Sequence, residues 1–171
     1  MKKPGLLICS TTAALLLACG LAAGGDYDNA WRSGGSALAG AWEVETTVRM
    51  NADDCTSAPL VPPFAPNPFP SFYAFHDGGT MTEQGSRSPP SNRSTGFGVW
   101  ERAGRQQYVS LVKFQSFDEN GLLAAIIEIR SEMSLAKNAE SFEGLGHLTR
   151  TDISGNSMTF CVTMTGERMS L

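Results

Sequence analysis

The chain has 171 residues, of which 42% are hydrophobic and 18% charged, with a formal net charge of −4. A typical soluble chain is about 25% charged, so this surface has to be built from Ser, Thr, Asn and Gln, as in many secreted β proteins. The acidic balance excludes a nucleic-acid binder, which needs a positive patch against phosphates, and a basic amphipathic helix lying on anionic lipid.

The N-terminus reads as an export leader. Met1-Lys2-Lys3 is a short basic start, and Leu6 to Ala18 is an apolar run of signal-peptide length. Cys9, Ser10, Thr11 and Thr12 interrupt that run, which argues against a membrane-spanning helix. Without Lys2 and Lys3 the chain keeps 13 − 2 = 11 basic side chains against 17 acidic ones, or −6. Leu16-Leu17-Ala18-Cys19 resembles the bacterial lipobox, which implies acylation at Cys19; the alternative is an ordinary cut after Ala22-Ala23 that removes the cysteine. Gly20 in place of Asp leans toward the outer membrane if the cell is Gram-negative. The expected organisation is therefore a signal peptide over 1–18, a flexible Gly/Ser-rich tether over 19–39, and one folded domain over 40–171, in the cell envelope.

From Gly40 to Met50, Trp42, Val44, Thr46, Val48 and Met50 alternate with Glu43, Glu45, Thr47 and Arg49, the period of a strand with one wet face. Asn51 to Thr56 is a turn cluster. The prolines from Pro59 to Pro70 exclude a helix or a central strand and predict an extended loop, or a lid carrying Phe64 and Phe69. Asp77-Gly78-Gly79 predicts a hairpin between strands over Phe72–His76 and Thr80–Gln84. After a Ser-, Pro- and Arg-rich loop from Gly85 to Thr95, strands are predicted over Gly96–Arg102 and Gln107–Phe117.

Asn120-Gly121 is the clearest turn, since both residues tolerate positive φ. Leu122 to Leu135 contains Ala, Leu and Glu that would suit a helix, but its β-branched alternation favours a strand. Phe142–Thr151 and Ser157–Thr165 form the last pair, around Ser154-Gly155-Asn156. About eight short strands joined by tight turns predict an all-β domain, a single up-and-down antiparallel barrel.

Gly40-x-Trp42 on the first strand and Arg168 near the last resemble the lipocalin (calycin) signature. That resemblance implies that Trp42 closes one end of the barrel with the Arg168 guanidinium over its ring, a structural role. Phe75-His76-Asp77-Gly78-Gly79-Thr80, Gly98-Val99-Trp100-Glu101 and Cys161 to Arg168 look like a group of uncharacterised secreted bacterial lipocalin-like proteins, over about Gly40 to Arg168. This resemblance implies the fold and no activity.

A barrel would bring Cys55, after the first strand, beside Cys161, in the last. In an oxidising compartment these two make a natural disulfide, the alternative being two free thiols. No Cys-x-x-Cys, Gly-x-Ser-x-Gly or His-Glu-x-x-His occurs, so no metal site or cofactor is expected. His76 reads as a turn position and His147 as sheet surface.

Function follows two lines and a third. The first is a binding module that holds a small apolar molecule among Trp100, Tyr108, Phe114 and Phe142, with a membrane contact only through Cys19. The second is a small barrel isomerase or cyclase using Glu83, Glu128 and Arg130, if those charges face a cavity. Glu128 and Arg130 share one face of their strand and Ile127 and Ile129 the other, so isoleucines inward and charges in water is the favoured arrangement. The third is a structural envelope lipoprotein with a filled interior.

Overall fold

The computed structural model describes residues 36–61 and 67–171. The signal peptide, Cys19, the tether up to residue 35 and Phe64 of the proline-rich loop lie outside the described residues.

Eight antiparallel strands, each hydrogen-bonded to the next, close into an up-and-down barrel: β1 (Gly40–Met50), β2 (Phe69–His76), β3 (Thr80–Gly85), β4 (Gly96–Arg102), β5 (Gln107–Phe117), β6 (Leu123–Leu135), β7 (Ser141–Asp152) and β8 (Ser157–Arg168). The only described helix is a 3-10 turn at Pro90–Asn92 between β3 and β4. Period-2 alternation sets which side chains face inward. On β1, Trp42, Val44, Thr46 and Val48 are buried while Glu43, Glu45 and Thr47 are not; on β6, Ile127, Ile129, Ser131 and Met133 are buried between outward Glu128, Arg130 and Glu132. The β-branched run of β6 therefore forms a strand, paired along its length with β5 and β7.

The barrel closes between its first and last strands, with Trp42 opposite Arg168 and Val48 opposite Val162. Over this seam the Arg168 guanidinium stacks 4.3 Å from the Trp42 ring. Its nitrogens also donate to the carbonyls of Ala37, Ala39 and Ala139. Gly40 has φ +137°, and a Cβ there would lie 2.6 Å from Arg168 Nη1, so the glycine of the Gly-x-Trp signature makes room for the arginine. The Cys55–Cys161 disulfide, with Cα atoms 5.2 Å apart, fastens the loop after β1 to β8 further along the same seam.

One end of the barrel is packed solid. Trp42 meets Phe142 edge-on at 5.1 Å, Phe75 meets Trp100 at 5.9 Å, and Trp100 leans on Tyr108 at 5.9 Å. Such pairs add about 0.5–1.5 kcal/mol each beyond their burial. Leu38, expected in the tether, is fully buried in this plug, and its carbonyl accepts the Trp42 indole N–H at 3.0 Å. Packing thus begins before β1.

The strand β2 starts three residues earlier than Phe72, taking in Phe69 and Pro70. A proline is tolerated near the start of a strand, where a missing N–H removes little of the ladder. Here the Pro70 carbonyl accepts from Ser86 N, and the Asn67 side-chain amide bonds both the N–H and the carbonyl of Val48, extending β1's pairing past the proline.

Candidate functional site

The half of the barrel away from Trp42 is open. Because β1, β3, β5 and β7 run from the packed end to the open end, their C-terminal halves and the N-terminal halves of β2, β6 and β8 carry the side chains that line it. They enclose a cavity of about 440 Å³. Apolar surface comes from Val48, Phe69, Phe114, Ile127, Ile129 and Phe160. Pockets for small organic ligands run to about 300–1,000 Å³ with mostly apolar walls and a few polar groups, and this one is of that kind.

The polar groups are few and specific. Thr46 and Ser71 share a hydrogen bond of 3.3 Å, and the Tyr73 hydroxyl donates to Met164 Sδ at 3.3 Å. Burial pushes the Tyr73 phenol far up from its ordinary value, and the nearby Glu83 charge adds to the shift, so it is a neutral donor. Glu83 follows Met81 on the inward face of β3 and is paired with Arg93, whose Nη2 lies 2.5 Å from Glu83 Oε2; both side chains are almost wholly buried, at 3% and 4% exposure. Burial raises the Glu83 carboxyl from its ordinary value, while the Arg93 guanidinium pulls it back down.

Arg93 is held on all sides. It donates from Nη1 to the Gly85 carbonyl and from Nε to the Ser94 carbonyl, and its guanidinium lies 3.9 Å over the Phe114 ring. A Cβ at Gly96 would come within 2.6 Å of Glu83 Oε2, so the start of β4 approaches the pair without a side chain. Two further arginines, Arg87 and Arg150, reach the cavity from the open rim.

Of the four aromatic residues expected around a ligand, Phe114 lines this cavity; Trp100, Tyr108 and Phe142 pack in the plug instead. Alternation places a residue inside the barrel but carries no information about its depth along the axis. Of the three charged candidates, Glu83 is in the cavity wall. Glu128 and Arg130 are outside, joined to each other at 2.7 Å and, through Glu128, to Lys113 at 2.7 Å on β5. Hydrogen bonds from Lys113 and then Arg130 hold the Glu128 carboxyl below its ordinary value, as a carboxylate facing water. Glu83 and Arg130 do not meet, and the cation beside Glu83 is Arg93. Sequence reading passed over Arg93 because it sits in a polar loop; its partner ten residues earlier, spaced two from Met81, was the available signal.

A larger hollow of about 600 Å³ lies on the outer face, between outward side chains such as Val99, Leu111, Arg130 and Leu145. It is a surface trough, whereas the smaller cavity lies inside the barrel. His147 approaches Cys55 Sγ at 3.6 Å and, with Cys161, forms a tight cluster of metal-ligand atoms. Both sulfurs are bonded to each other, so neither offers a thiolate to a metal. His76 is exposed, with Thr82 Oγ1 at 3.5 Å from its Nε2.

No family model, no curated protein and no solved structure matches this chain.

Proposed function

We propose that this chain is an exported lipocalin-like protein of the cell envelope, anchored through an acylated Cys19, that holds a small apolar molecule in the open half of its barrel. The observation that carries the reading is the asymmetry of the interior. One half is plugged by aromatic rings, while the other keeps a cavity of about 440 Å³ with apolar walls, which a protein with a purely structural role has no reason to leave open. The export part is supported by the basic-then-apolar leader and by the Cys55–Cys161 disulfide, a bond that persists in oxidising compartments.

A second reading, acid–base catalysis in the cavity, has one observation in its favour: Glu83 is a buried carboxyl with a raised proton affinity beside the neutral Tyr73 hydroxyl. Against it, the Arg93 guanidinium occupies Glu83 Oε2, which leaves the carboxylate acting as a counter-ion. Binding is the better account.

The test is native mass spectrometry of the full chain purified from an exporting host, followed by organic extraction. The expected result is a population heavier by one small molecule, recovered as an apolar compound in the extract, on a protein that also carries the mass of an acyl group at Cys19. A ligand-free protein that also fails to take up any added apolar probe would sink the binding reading. An unaltered protein whose mass carries no acyl group at Cys19, or that leaves the membrane fraction without detergent, would sink the anchor.

A further inference from the structure

The cavity wall is not electrically neutral. Three guanidinium groups, Arg87, Arg93 and Arg150, face it against one carboxylate, Glu83, so two positive charges are in excess. The Glu83–Arg93 pair neutralises itself deep in the wall. The excess therefore sits on Arg87, in the loop after β3, and on Arg150, near the end of β7. These strands stand four places apart in the barrel order, so the two cations approach the mouth from different sides.

Neither cation is in an ion pair among the described residues. Arg87 lies 5.8 Å over the Phe69 ring, and its Nη1 is shut off from solvent without a hydrogen-bond partner among the described residues. A buried charged N–H without an acceptor is costly, and native structures retain few of them. Desolvation alone lowers the Arg87 proton affinity, which fits a cation held without a counter-charge. Asp152, the carboxylate whose charge Arg150 influences, is already engaged by the N–H groups of Ser154 and Asn156 and by the Asn156 amide.

Resting on the binding reading above, we propose that the ligand is an amphipathic anion, with its acidic head group held between Arg87 and Arg150 at the mouth and its apolar body directed into the barrel. The polarity follows from the charges. Deep in the wall an anion would meet the Glu83 carboxylate, whose Arg93 partner is already taken. At the mouth it supplies the acceptor that Arg87 Nη1 lacks. The inner walls of Val48, Ile129 and Phe114 then receive the apolar part. A neutral hydroxyl can accept from Arg87 Nη1 but makes a weaker bond than an anion and leaves both positive charges uncompensated, and a cation adds repulsion.

The experiment uses the full chain and three probes with one tail and different heads: decanoate, 1-decanol and decyltrimethylammonium. Each is titrated against a neutral environment-sensitive fluorophore bound in the barrel. Decanoate is expected to displace it at least tenfold more effectively than decanol, which is about 1.4 kcal/mol, with the cationic probe weakest. That preference should shrink as salt rises from low to physiological strength, since the rim charges are partly open to water. The double variant Arg87→Gln/Arg150→Gln is expected to lose the tenfold preference and keep decanol binding.

Equal displacement by decanoate and decanol in the unaltered chain would overturn the anion assignment while leaving the binding reading in place, and that comparison needs no variant to fold. An anion preference that persists undiminished in the double variant would overturn the assignment to these two arginines. If the fluorophore never binds and none of the decyl compounds does, the binding reading itself fails and the anion assignment with it.

Discussion

Replacing Arg93 by Met removes one half of the most deeply buried ion pair described in the barrel. The substitution keeps an unbranched apolar stem over Phe114 but deletes the guanidinium that contacts Glu83 Oε2 and the carbonyls of Gly85 and Ser94. Glu83, 3% exposed, is left without its cation, and removal of one partner from a buried pair costs about 3–5 kcal/mol. A single domain is stable by about 5–15 kcal/mol in total, so the urea midpoint should fall by about 2 M at a slope of about 2 kcal/mol per M.

The loss should also acquire a pH dependence. In the unaltered protein, burial raises the Glu83 carboxyl and Arg93 opposes that shift; in the variant only the smaller effect of a hydrogen bond from the Gly85 backbone opposes it. A carboxyl whose folded proton affinity exceeds its unfolded one contributes stability that is intact below its ordinary value. That contribution is lost as pH rises through the higher folded value. The deficit of Arg93→Met should therefore be small near pH 4 and full at pH 8, read from urea curves at both. The double variant Glu83→Gln/Arg93→Met, which removes both charges of the pair, should recover most of it. A deficit under about 1 kcal/mol at pH 8, or one that does not change with pH, would refute the buried-pair account.

Two other perturbations test the seam. Cys161→Ser opens a disulfide spanning a sequence separation of 106 residues and should cost about 2–4 kcal/mol, with an upper bound near 4.7 on the chain-entropy account; reduction of the unaltered protein should give the same loss in a non-reducing versus reducing urea titration. Arg168→Met removes the guanidinium from the Trp42 face and three bonds to carbonyls, and should lower stability by about 2–4 kcal/mol; a thermal midpoint within about 2 °C of the unaltered protein would show that the plug does not need it.

The fold was legible because three independent signals agreed: alternation along each strand, turn residues between strands, and the pair of Trp42 and Arg168 at the two ends. Asn120-Gly121 and Ser154-Gly155-Asn156 marked hairpins that the strands flank as expected, with Gly121 and Gly155 at φ of 77° and 87°. The two boundaries that shifted have local causes. Pro70 concealed the start of β2, because a side-chain amide from Asn67 stands in for ladder bonds that no backbone pattern announces. Leu38 concealed the start of the packed region, because a single buried leucine in a turn has no period to detect.

The site was legible only in part, and the reason is geometric. Inward parity on β3 and β5 was readable, and it does put Glu83 and Phe114 in the wall. Depth along the barrel axis depends on the tilt and register of all eight strands, which no single strand encodes. Trp100, Tyr108 and Phe142 share Phe114's inward parity yet fall on the packed side of the boundary.

Arg87, Arg93 and Arg150 show the converse. Two of them come from a loop that alternation cannot address, and the third sits where β7 approaches the rim, so their convergence on one cavity exists only in three dimensions. An acidic chain can therefore carry a locally cationic mouth, and net charge is a poor guide to what the barrel holds. The sequence signature at Trp42 and Arg168 describes how the barrel shuts. The chemistry that would select a ligand sits at the opposite end, on residues that signature does not include.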